Sequence, residues 1–347
     1  MPDSRCWLDL TLEDGLSHPF YPQGYLRVIG ARAGAAFNER VFRSMEGLTL
    51  FIQQLINGLR VGSIYALVAL GYTMVYGIIR LINFAHGDFI MVGGYTLVFT
   101  VPLMMAAGMP AWMAVILAVI VCAVVGMLVE KLAYSPVRKR GTKMSSLITA
   151  IAMSLLLENL AQKLFSASPK QVGTIFSLPN VGGFAGNTLL TITIGVVMMI
   201  CLSLFVKYTK AGQAMRAVSE DKDASNLMGV NVNKTITLTF GIGAGLAAVA
   251  ALMYCAQYNQ VTTTMGYMLG LKAFVAAVLG GIGIIPGAML GGLAVGIIES
   301  LSKAYMGTLT GGVITSAFSD AIVFGILIIV LLVKPAGIMG KNVGEKV

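Results

Sequence analysis

Four ionisable side chains inside apolar segments carry the most evident chemistry of this chain: Glu158, Lys272, Glu299 and Asp320. A charge among apolar groups is costly, so it usually pairs with an opposite charge or lines a path for a polar solute. We predict one of these two roles for Glu158 and for Lys272. Glu299 and Asp320 fall toward the outer ends of their segments, where exposure at an interface would account for them.

Further charged residues lie near the ends of apolar segments: Glu130, Lys131, Lys163 and Lys303. A side chain in such a position can keep its stem among apolar groups while its charged head reaches water. We therefore expect these four to be exposed at a boundary.

A polar sequence, Asn83-Phe84-Ala85-His86-Gly87-Asp88, separates the first two apolar segments. A histidine close to a carboxylate can relay protons, because its charge changes near neutral pH. The alternative is a turn whose polar groups satisfy free backbone ends, and we favour the turn.

Patterns typical of catalytic and metal sites are missing from the sequence. The cysteines, Cys6, Cys122, Cys201 and Cys255, form no C-x-x-C pair, and the chain has only 2 histidines. A nucleophile with a base beside it and a pair of catalytic carboxylates are also missing. We predict no catalytic residue, no metal site and no cofactor bound by this chain.

Composition places the chain in a membrane. Of its 347 residues, 57% are hydrophobic and 11% are charged, whereas a soluble domain has about 25% charged residues. The mean hydropathy is +0.83. We predict an all-α polytopic membrane protein. The net charge of +9 reflects basic loops that orient the helices, not binding to nucleic acid.

Nine apolar segments follow one another along the chain. About 20 residues cross the hydrocarbon core, so eight to nine crossings are expected. Pro286 separates two of the segments, which are either two short crossings or one broken, re-entrant helix. The segments span residues 50–79, 84–106, 110–133, 145–165, 188–206, 235–256, 268–285, 287–302 and 313–333.

Basic residues predict the orientation. They gather at residues 138–143, in the loop 207–234 and in the tail after residue 333. Counting crossings places all three on the cytoplasmic side, as the excess of Lys and Arg in cytoplasmic loops requires. The first segment then starts outside, and residues 166–187 form the main external loop.

The first residues differ from the rest of the chain. Residues 1–44 hold five arginines, five carboxylates and no apolar core of a signal peptide. We predict that they form a poorly ordered extension, or that Met45 is the true start. The transmembrane domain then covers residues 45–340.

The loop 207–234 is the largest polar interruption, with 28 residues. Ser219 is expected to cap a short helix, with Glu220 and Asp221 in its first turn, and Gly229 to end it in a left-handed conformation. Ala224, Leu227 and Met228 form a small apolar face at helical spacing. Such a face suits a groove on another protein, although a helix lying on lipid headgroups explains it as well.

Glycines recur every four residues near Pro286, as Gly283, Gly287 and Gly291, and again as Gly292 and Gly296. This spacing puts bare backbone on one helix face and lets two helices approach closely. It indicates a sliding or broken element, a subunit interface, or static packing within the subunit.

Three stretches carry a family resemblance. GQAMRAVSEDKDASNLMGVNVNK, residues 212–234, resembles the coupling loop of the permease subunits of branched-chain amino acid ATP-binding-cassette (ABC) importers. Residues 56–95, INGLRVGSIYALVALGYTMVYGIIRLINFAHGDFIMVGGY, and residues 272–300, KAFVAAVLGGIGIIPGAMLGGLAVGIIES, resemble the two terminal signatures of that family. The resemblance covers residues 46–340. Residues 1–44 and Ile284-Ile285 depart from the family pattern.

The resemblance implies an importer in the bacterial inner membrane. A periplasmic binding protein would deliver leucine, isoleucine, valine or a similar amino acid. Two permeases would form the path and two cytoplasmic ATPases would drive it. The residues implied in ATPase coupling are Ala217, Ser219, Glu220, Asp221, Ala224, Leu227, Met228 and Gly229. The candidates for translocation or gating are Asn83, His86, Glu158, Lys272, Gly283, Pro286 and Gly287.

The sequence lacks a phosphate-binding loop, G-x-x-x-x-G-K-[ST], so ATP would be used by a partner subunit. Two alternatives to branched-chain amino acid import remain open. The same machine could carry urea, short amides or another amino acid. An ion-coupled secondary transporter is the second alternative, but it would need no docking loop of this length.

Overall fold

A computed structural model describes residues 23–340, except residues 82, 177, 181–184 and 311–317. From Gln53 onward the chain forms one compact unit. Residues 1–22 of the predicted N-terminal extension lie outside the described residues, and the first helix already begins at Gln23.

Twelve α-helices account for nearly all of the described chain. A 3-10 turn at Phe84–His86 precedes the second helix, and a π-helical turn at Glu130–Tyr134 follows the third. The helices are α1 (Gln23–Ile79), α2 (Asp88–Ala106), α3 (Met113–Val129), α4 (Ser135–Arg140), α5 (Lys143–Phe165), α6 (Gly186–Tyr208), α7 (Lys210–Glu220), α8 (Lys222–Leu227), α9 (Val232–Tyr258), α10 (Met265–Gly280), α11 (Ile285–Leu309) and α12 (Ser319–Val333).

Seven helical stretches in the described chain are long and apolar enough to cross a membrane, and α10 and α12 are shorter apolar helices. Each of the nine predicted segments therefore corresponds to one helix, and the estimate of eight to nine crossings is approximately right. Pro286 lies in the first turn of α11, so it begins a helix. α10 ends at Gly280, five residues before the predicted boundary.

Helices α1 and α9 form the centre. The most apolar stretch of α1 is 89% buried and that of α9 is 83% buried, whereas that of α5 is 17% buried. α9 packs against α2 and α3. A Cβ added at Gly126 of α3 would lie 2.6 Å from Cβ of Ala244 on α9, so glycine sets the distance between these helices. Close backbone contact of this kind holds helices together where lipid removes the hydrophobic driving force.

Glycines also join α11 to α1. A Cβ at Gly58 would lie 2.7 Å from Cα of Ile297, and one at Gly62 would lie 2.8 Å from Cα of Leu293. Gly292 and Gly296 of α11 contact the same face of α1. The repeated glycines at these positions therefore pack two helices of one subunit against each other.

Two short strands, β1 (Lys170–Gln171) and β2 (Gln260–Val261), pair antiparallel. They connect the α5–α6 loop to the α9–α10 connection. At the opposite end Arg80, Arg138 and the α7–α8 region meet: Arg80 bonds to the carbonyl of Ser219 and Arg138 to Asn233. The basic loops thus lie at one end of the helices, as the predicted orientation requires.

Candidate functional site

Asp221 caps the short helix α8 of the polar loop. Its carboxylate accepts hydrogen bonds from the backbone N–H groups of Asp223, at 2.8 Å, and Ala224, at 3.0 Å. The prediction that Ser219 is the cap is wrong, because Ser219 lies in the last turn of α7 and donates to the carbonyl of Arg216. A carboxylate is also favoured over a hydroxyl at the positive end of a helix.

The apolar face predicted on α8 points away from the protein. Ala224 is exposed, and Leu227 and Met228 are 87% and 83% exposed. Gly229 has φ +84°, so the left-handed ending is confirmed. Large apolar side chains exposed to this degree at the tip of a polar loop are candidates for contact with another protein or a membrane. We call the exposed residues Ala224, Leu227 and Met228 the α8 face.

The neighbouring helix α7 is fixed to the body of the protein. Its side chains Met215 and Val218 are buried, at 4% and 1% exposure. Thr209 caps it by accepting from the N–H of Gly212 at 3.0 Å. The loop therefore has one helix packed against the transmembrane helices and one presented outward. Of the predicted coupling residues, Ala217, Ser219 and Glu220 are on α7, and the other five are on or next to α8.

Positive charges gather where α7 and α8 meet the transmembrane helices. Burial lowers the pKa of Lys222, and the nearby cations Arg138 and Arg80 lower it further, while Asp223 opposes them. The positive charges of Arg138 and Arg80 thus repel the charged form of Lys222. An acidic group on a partner would relieve this repulsion.

Glu130 lies beneath this basic region and is 1% exposed. Arg138 pairs with it at 3.0 Å, and the hydroxyl of Thr237 donates to it at 2.6 Å. The prediction that Glu130 reaches the surface is therefore wrong, because two partners satisfy its charge inside the protein. Sequence reasoning missed this group, since Thr237 comes from a distant helix.

The tip of the α10–α11 hairpin adjoins α7. Gly283 and Ile285 line a cavity of about 80 Å³ together with Met215, Arg216 and Ser219. Gly283 has φ +91°, a conformation that glycine adopts without strain. The gating candidate Gly283 and the coupling candidate Ser219 are thus brought together, although 64 residues separate them in the sequence.

Pro286 and Gly287 begin α11 beside this tip. An added Cβ at Gly287 would collide with the carbonyl of Gly280, so the two helices touch through backbone. The C-terminal segment closes over the hairpin, because the N–H groups of Ile338 and Met339 donate to Leu279 at 2.9 Å and to Gly280 at 3.1 Å. The tip therefore contacts both helices and the C-terminal segment.

Lys272 lies in a buried charge cluster. Its ammonium is 2.9 Å from Glu299 of α11 and 2.7 Å from Asp320 of α12. Lys303 is 2.5 Å from Glu299, and the Tyr65 hydroxyl of α1 donates to Glu299 at 2.8 Å. The predicted internal pairing of Lys272 is present. The expectation of interfacial exposure is wrong for Glu299, which is 3% exposed. The Asp320 side chain is partly exposed, at 30%.

Glu158 is outside this cluster and lines a different cavity. That cavity has a volume of about 500 Å³ and includes Ser154 of α5, Tyr72 of α1 and Phe274 of α10. The structure therefore does not bring Glu158 and Lys272 together, and the two residues need separate explanations.

Asn83 and His86 are buried beneath the start of α2. The Tyr134 hydroxyl donates to the side-chain oxygen of Asn83. The His86 ring lies 4.7 Å from the ring centroid of Tyr72 and 5.9 Å from that of Phe89, and it fills the space over Gly71. Phe84–His86 form a turn, as the favoured prediction requires, but the Asn83 side chain makes no capping hydrogen bond to it.

A second large cavity adjoins the charge cluster. It has a volume of about 380 Å³ and contains Lys272, Glu299 and Lys303 on one side. Met265, Met268 and other apolar side chains line it together with tyrosines and threonines. The two large cavities lie on different faces of α10, the helix that also carries the central lysine.

Comparison with known proteins identifies relatives over most of the chain. A family described as "Branched-chain amino acid transport system / permease component" matches residues 54–331. The high-affinity branched-chain amino acid transport system permease protein LivH of Escherichia coli (strain K12) is 40% identical over 315 residues, which cover 87% of this chain and 99% of that protein.

Two further relatives agree with this match. BraD of Pseudomonas aeruginosa, a high-affinity branched-chain amino acid transport system permease protein, is 41% identical over 86% of this chain and 98% of its own length. A probable branched-chain amino acid transport permease, LivH of Methanocaldococcus jannaschii, is 30% identical over 81% of this chain and 90% of its own.

Proposed function

This chain belongs to the family of branched-chain amino acid transport system permease components, and from that membership we propose that it forms half of the path of an ABC importer. It is a multi-pass membrane protein and a transport subunit, not an enzyme. In the bacterial inner membrane it acts with a second permease, two cytoplasmic ATPases and a periplasmic binding protein. The cargo is leucine, isoleucine, valine or a similar hydrophobic amino acid.

The α8 face is the observation that carries this proposal. Its apolar residues extend from the protein on a capped helix, at the end where the basic residues gather. A short amphipathic helix in a groove is a common mode of recognition between proteins. The ATPase supplies the groove, and Ala217 to Gly229 form the element that follows its closure.

Force from the ATPase reaches the path through α7. Met215, Arg216 and Ser219 of α7 share a cavity with Gly283 and Ile285 at the hairpin tip. Movement of α7 therefore displaces α10 and α11 together. The glycine faces of α1 and α11 let these two helices shift along each other, because little side-chain bulk opposes the motion. Gly283, Pro286 and Gly287 act as the gating residues of this sequence.

The test of the function is ATP-dependent uptake. The chain is co-purified with the products of neighbouring genes and reconstituted in vesicles with the binding protein outside. We expect a second permease, two ATPases and leucine uptake that requires ATP inside. A chain that purifies alone and transports alone would overturn the proposal.

The docking role is tested with two neighbouring substitutions. Leu227→Asp places a charge on the α8 face, and loss of such an apolar anchor costs about 2 kcal/mol, roughly thirtyfold in affinity. We expect the ATPase to be lost from the purified complex while the permease still inserts. Asn226→Asp adds the same charge to the adjacent exposed residue and should retain the ATPase. Equal retention in both variants would contradict the docking role.

A further inference from the structure

The cavity beside the charge cluster combines opposite charges with an apolar wall. It has a volume of about 380 Å³, within the range of roughly 300–1,000 Å³ for small-molecule sites. Helices α1, α9, α10 and α11 contribute to its lining. Lys272, Lys303 and Glu299 are on one side, and Met265, Met268 and Leu269 are among the apolar residues.

The charges of the cluster balance. Two lysines, Lys272 and Lys303, face two carboxylates, Glu299 and Asp320, and all four are joined by ion pairs of 2.5 to 2.9 Å. A ligand that carries only a carboxylate would leave the buried Glu299, 3% exposed, without Lys303, which is costly. A ligand that carries only an ammonium would leave Lys303 without an anionic partner. A ligand that carries one positive and one negative group leaves the balance unchanged.

One ion pair of the cluster is easier to open than the others. The Lys303 side chain is 49% exposed, whereas that of Lys272 is 10% exposed. Lys303 can therefore turn its ammonium away from Glu299 and place it in water. Lys272 continues to hold Glu299 in place when this happens.

We propose that this cavity binds a zwitterionic amino acid during its passage, with the carboxylate at Lys303 and the ammonium at Glu299. The amino acid inserts between Lys303 and Glu299. Its carboxylate pairs with the Lys303 ammonium, and its ammonium pairs with the Glu299 carboxylate. This inference rests on the proposed function, because it takes the cargo class from it and assigns the residues.

The apolar wall receives the side chain of the amino acid. Met265, Met268 and Leu269 of α10 face Val61 and Ile64 of α1 across the cavity. Methionine side chains adapt to ligands of different shape, so one wall can accept leucine, isoleucine and valine. The other large cavity lacks this combination, because Glu158 is its one acidic residue and no lysine or arginine is among its described lining residues.

Protection of single cysteines from labelling tests the site. Met268→Cys and Leu271→Cys are made separately with Cys6→Ala and Cys201→Ala. Met268 lines the proposed site, and Leu271, on the same helix, lines the other cavity. The complex of permeases and ATPases, without binding protein or ATP, is treated with a water-soluble maleimide and increasing leucine. At about ten times the Kd, labelling of Met268→Cys should slow roughly tenfold, while Leu271→Cys is unaffected.

Charge matching predicts which compounds protect. 4-Methylpentanoate lacks the ammonium and leaves the buried Glu299 unmatched, so it should give less than about a tenth of the protection that leucine gives. 3-Methylbutylamine lacks the carboxylate that Lys303 would hold and should also protect less than leucine. Lys303→Met added to Met268→Cys should abolish protection by leucine. Equal protection by the singly charged compounds, or protection that survives Lys303→Met, would overturn the charge assignment.

The two proposals fail in different ways. If leucine gives no protection while ATP-dependent uptake is normal, the cavity is not the site and the proposed function stands. If leucine protects Met268→Cys while uptake does not require ATP, the site stands and the ABC importer assignment is overturned.

Discussion

Lys272 joins three helices through a single ammonium group, because Glu299 and Asp320 come from α11 and α12. A buried ion pair contributes little net stability compared with apolar packing, since both charges lose their hydration. Removing one partner is different, because it leaves the other charge buried and unpaired. The cluster is therefore stable only while each charge keeps a partner.

Lys272→Met should destabilise the protein by about 1–3 kcal/mol, because Asp320 loses its ion pair while Glu299 keeps Lys303. Detergent-solubilised protein unfolded by increasing SDS measures this change. Lys303→Met is the matched control, because the Lys303 side chain is half exposed and the expected cost is below about 1 kcal/mol. Similar losses in both variants would show that the Lys272 pairs are no more critical than an exposed one.

Asp221→Ala should release the first turn of α8, because two backbone N–H groups lose their acceptor. The expected local cost is about 0.5–2 kcal/mol. Hydrogen exchange of residues 222–227 should accelerate accordingly, and ATP hydrolysis should lose its link to uptake. Asp221→Asn retains a capping oxygen and should preserve the exchange rates. Ser219→Ala should leave α8 unchanged; faster exchange of α8 in that variant would restore Ser219 as its cap.

Residue-level prediction from sequence succeeded where the determinant is local. The left-handed conformation of Gly229 follows from helix-ending rules, and it is present. The prediction of the cap failed because both Ser219 and Asp221 are good capping residues, so propensity alone does not show which of them begins the helix. The predicted exposure of Glu130 and Glu299 was wrong because their partners, Thr237 and Lys272, come from other helices.

At the scale of elements, backbone contact replaces side-chain packing around α11. Gly292 and Gly296 lie against Gly62 and Ala66 of α1, and Gly291 lies against Ala276 of α10. α11 is therefore held between two helices that both touch its backbone. A glycine stripe on a membrane helix is expected from sequence, but the helix that receives it is not.

Gly296→Ala should separate α11 from α1, because the added Cβ would lie 2.6 Å from the carbonyl of Gly58. We expect a loss of about 1–3 kcal/mol in SDS unfolding, as for overpacked cores. Gly307, on the same helix, has open space around its missing Cβ. Gly307→Ala should be neutral or stabilising by up to about 1 kcal/mol. A neutral Gly296→Ala variant would contradict close packing of α1 and α11.

The nine helical segments could be predicted because their length and hydropathy are set by the bilayer. Their ends were less predictable where irregular backbone intervenes. Gly281, with φ +109°, and Gly283 open a connection that ends α10 at Gly280. Apolar composition continues through that connection, so hydropathy alone does not show where the helix stops.

For the whole molecule, burial separates an inner layer from an outer one. α1 and α9 are mostly buried, whereas α5 and α6 expose most of their apolar surface. Lipid or a partner protein covers that surface in a membrane, since such a large apolar area is not left in water. The α8 face and the outer helices thus point to partners of different kinds.

Deletion of residues 1–44 should leave uptake and assembly unchanged. The family match begins at residue 54, and the compact unit begins at Gln53. Comparison of ATP-dependent leucine uptake by the full chain and by a chain starting at Met45 measures the effect, with equal amounts of membrane protein as the control. A loss of assembly in the shorter chain would assign a structural role to the extension.

The shortness of α10 has a consequence for the synthesis of the protein. Its 16 residues reach about 24 Å at 1.5 Å each, less than the roughly 30 Å of the hydrocarbon core. Lys272 adds about 2.5–3.5 kcal/mol to the cost of inserting it alone. We therefore expect the translocon to release α10 into the lipid only after α11 has emerged from the ribosome. The carboxylate of Glu299 then accompanies Lys272 into the bilayer, and the two helices enter as one unit.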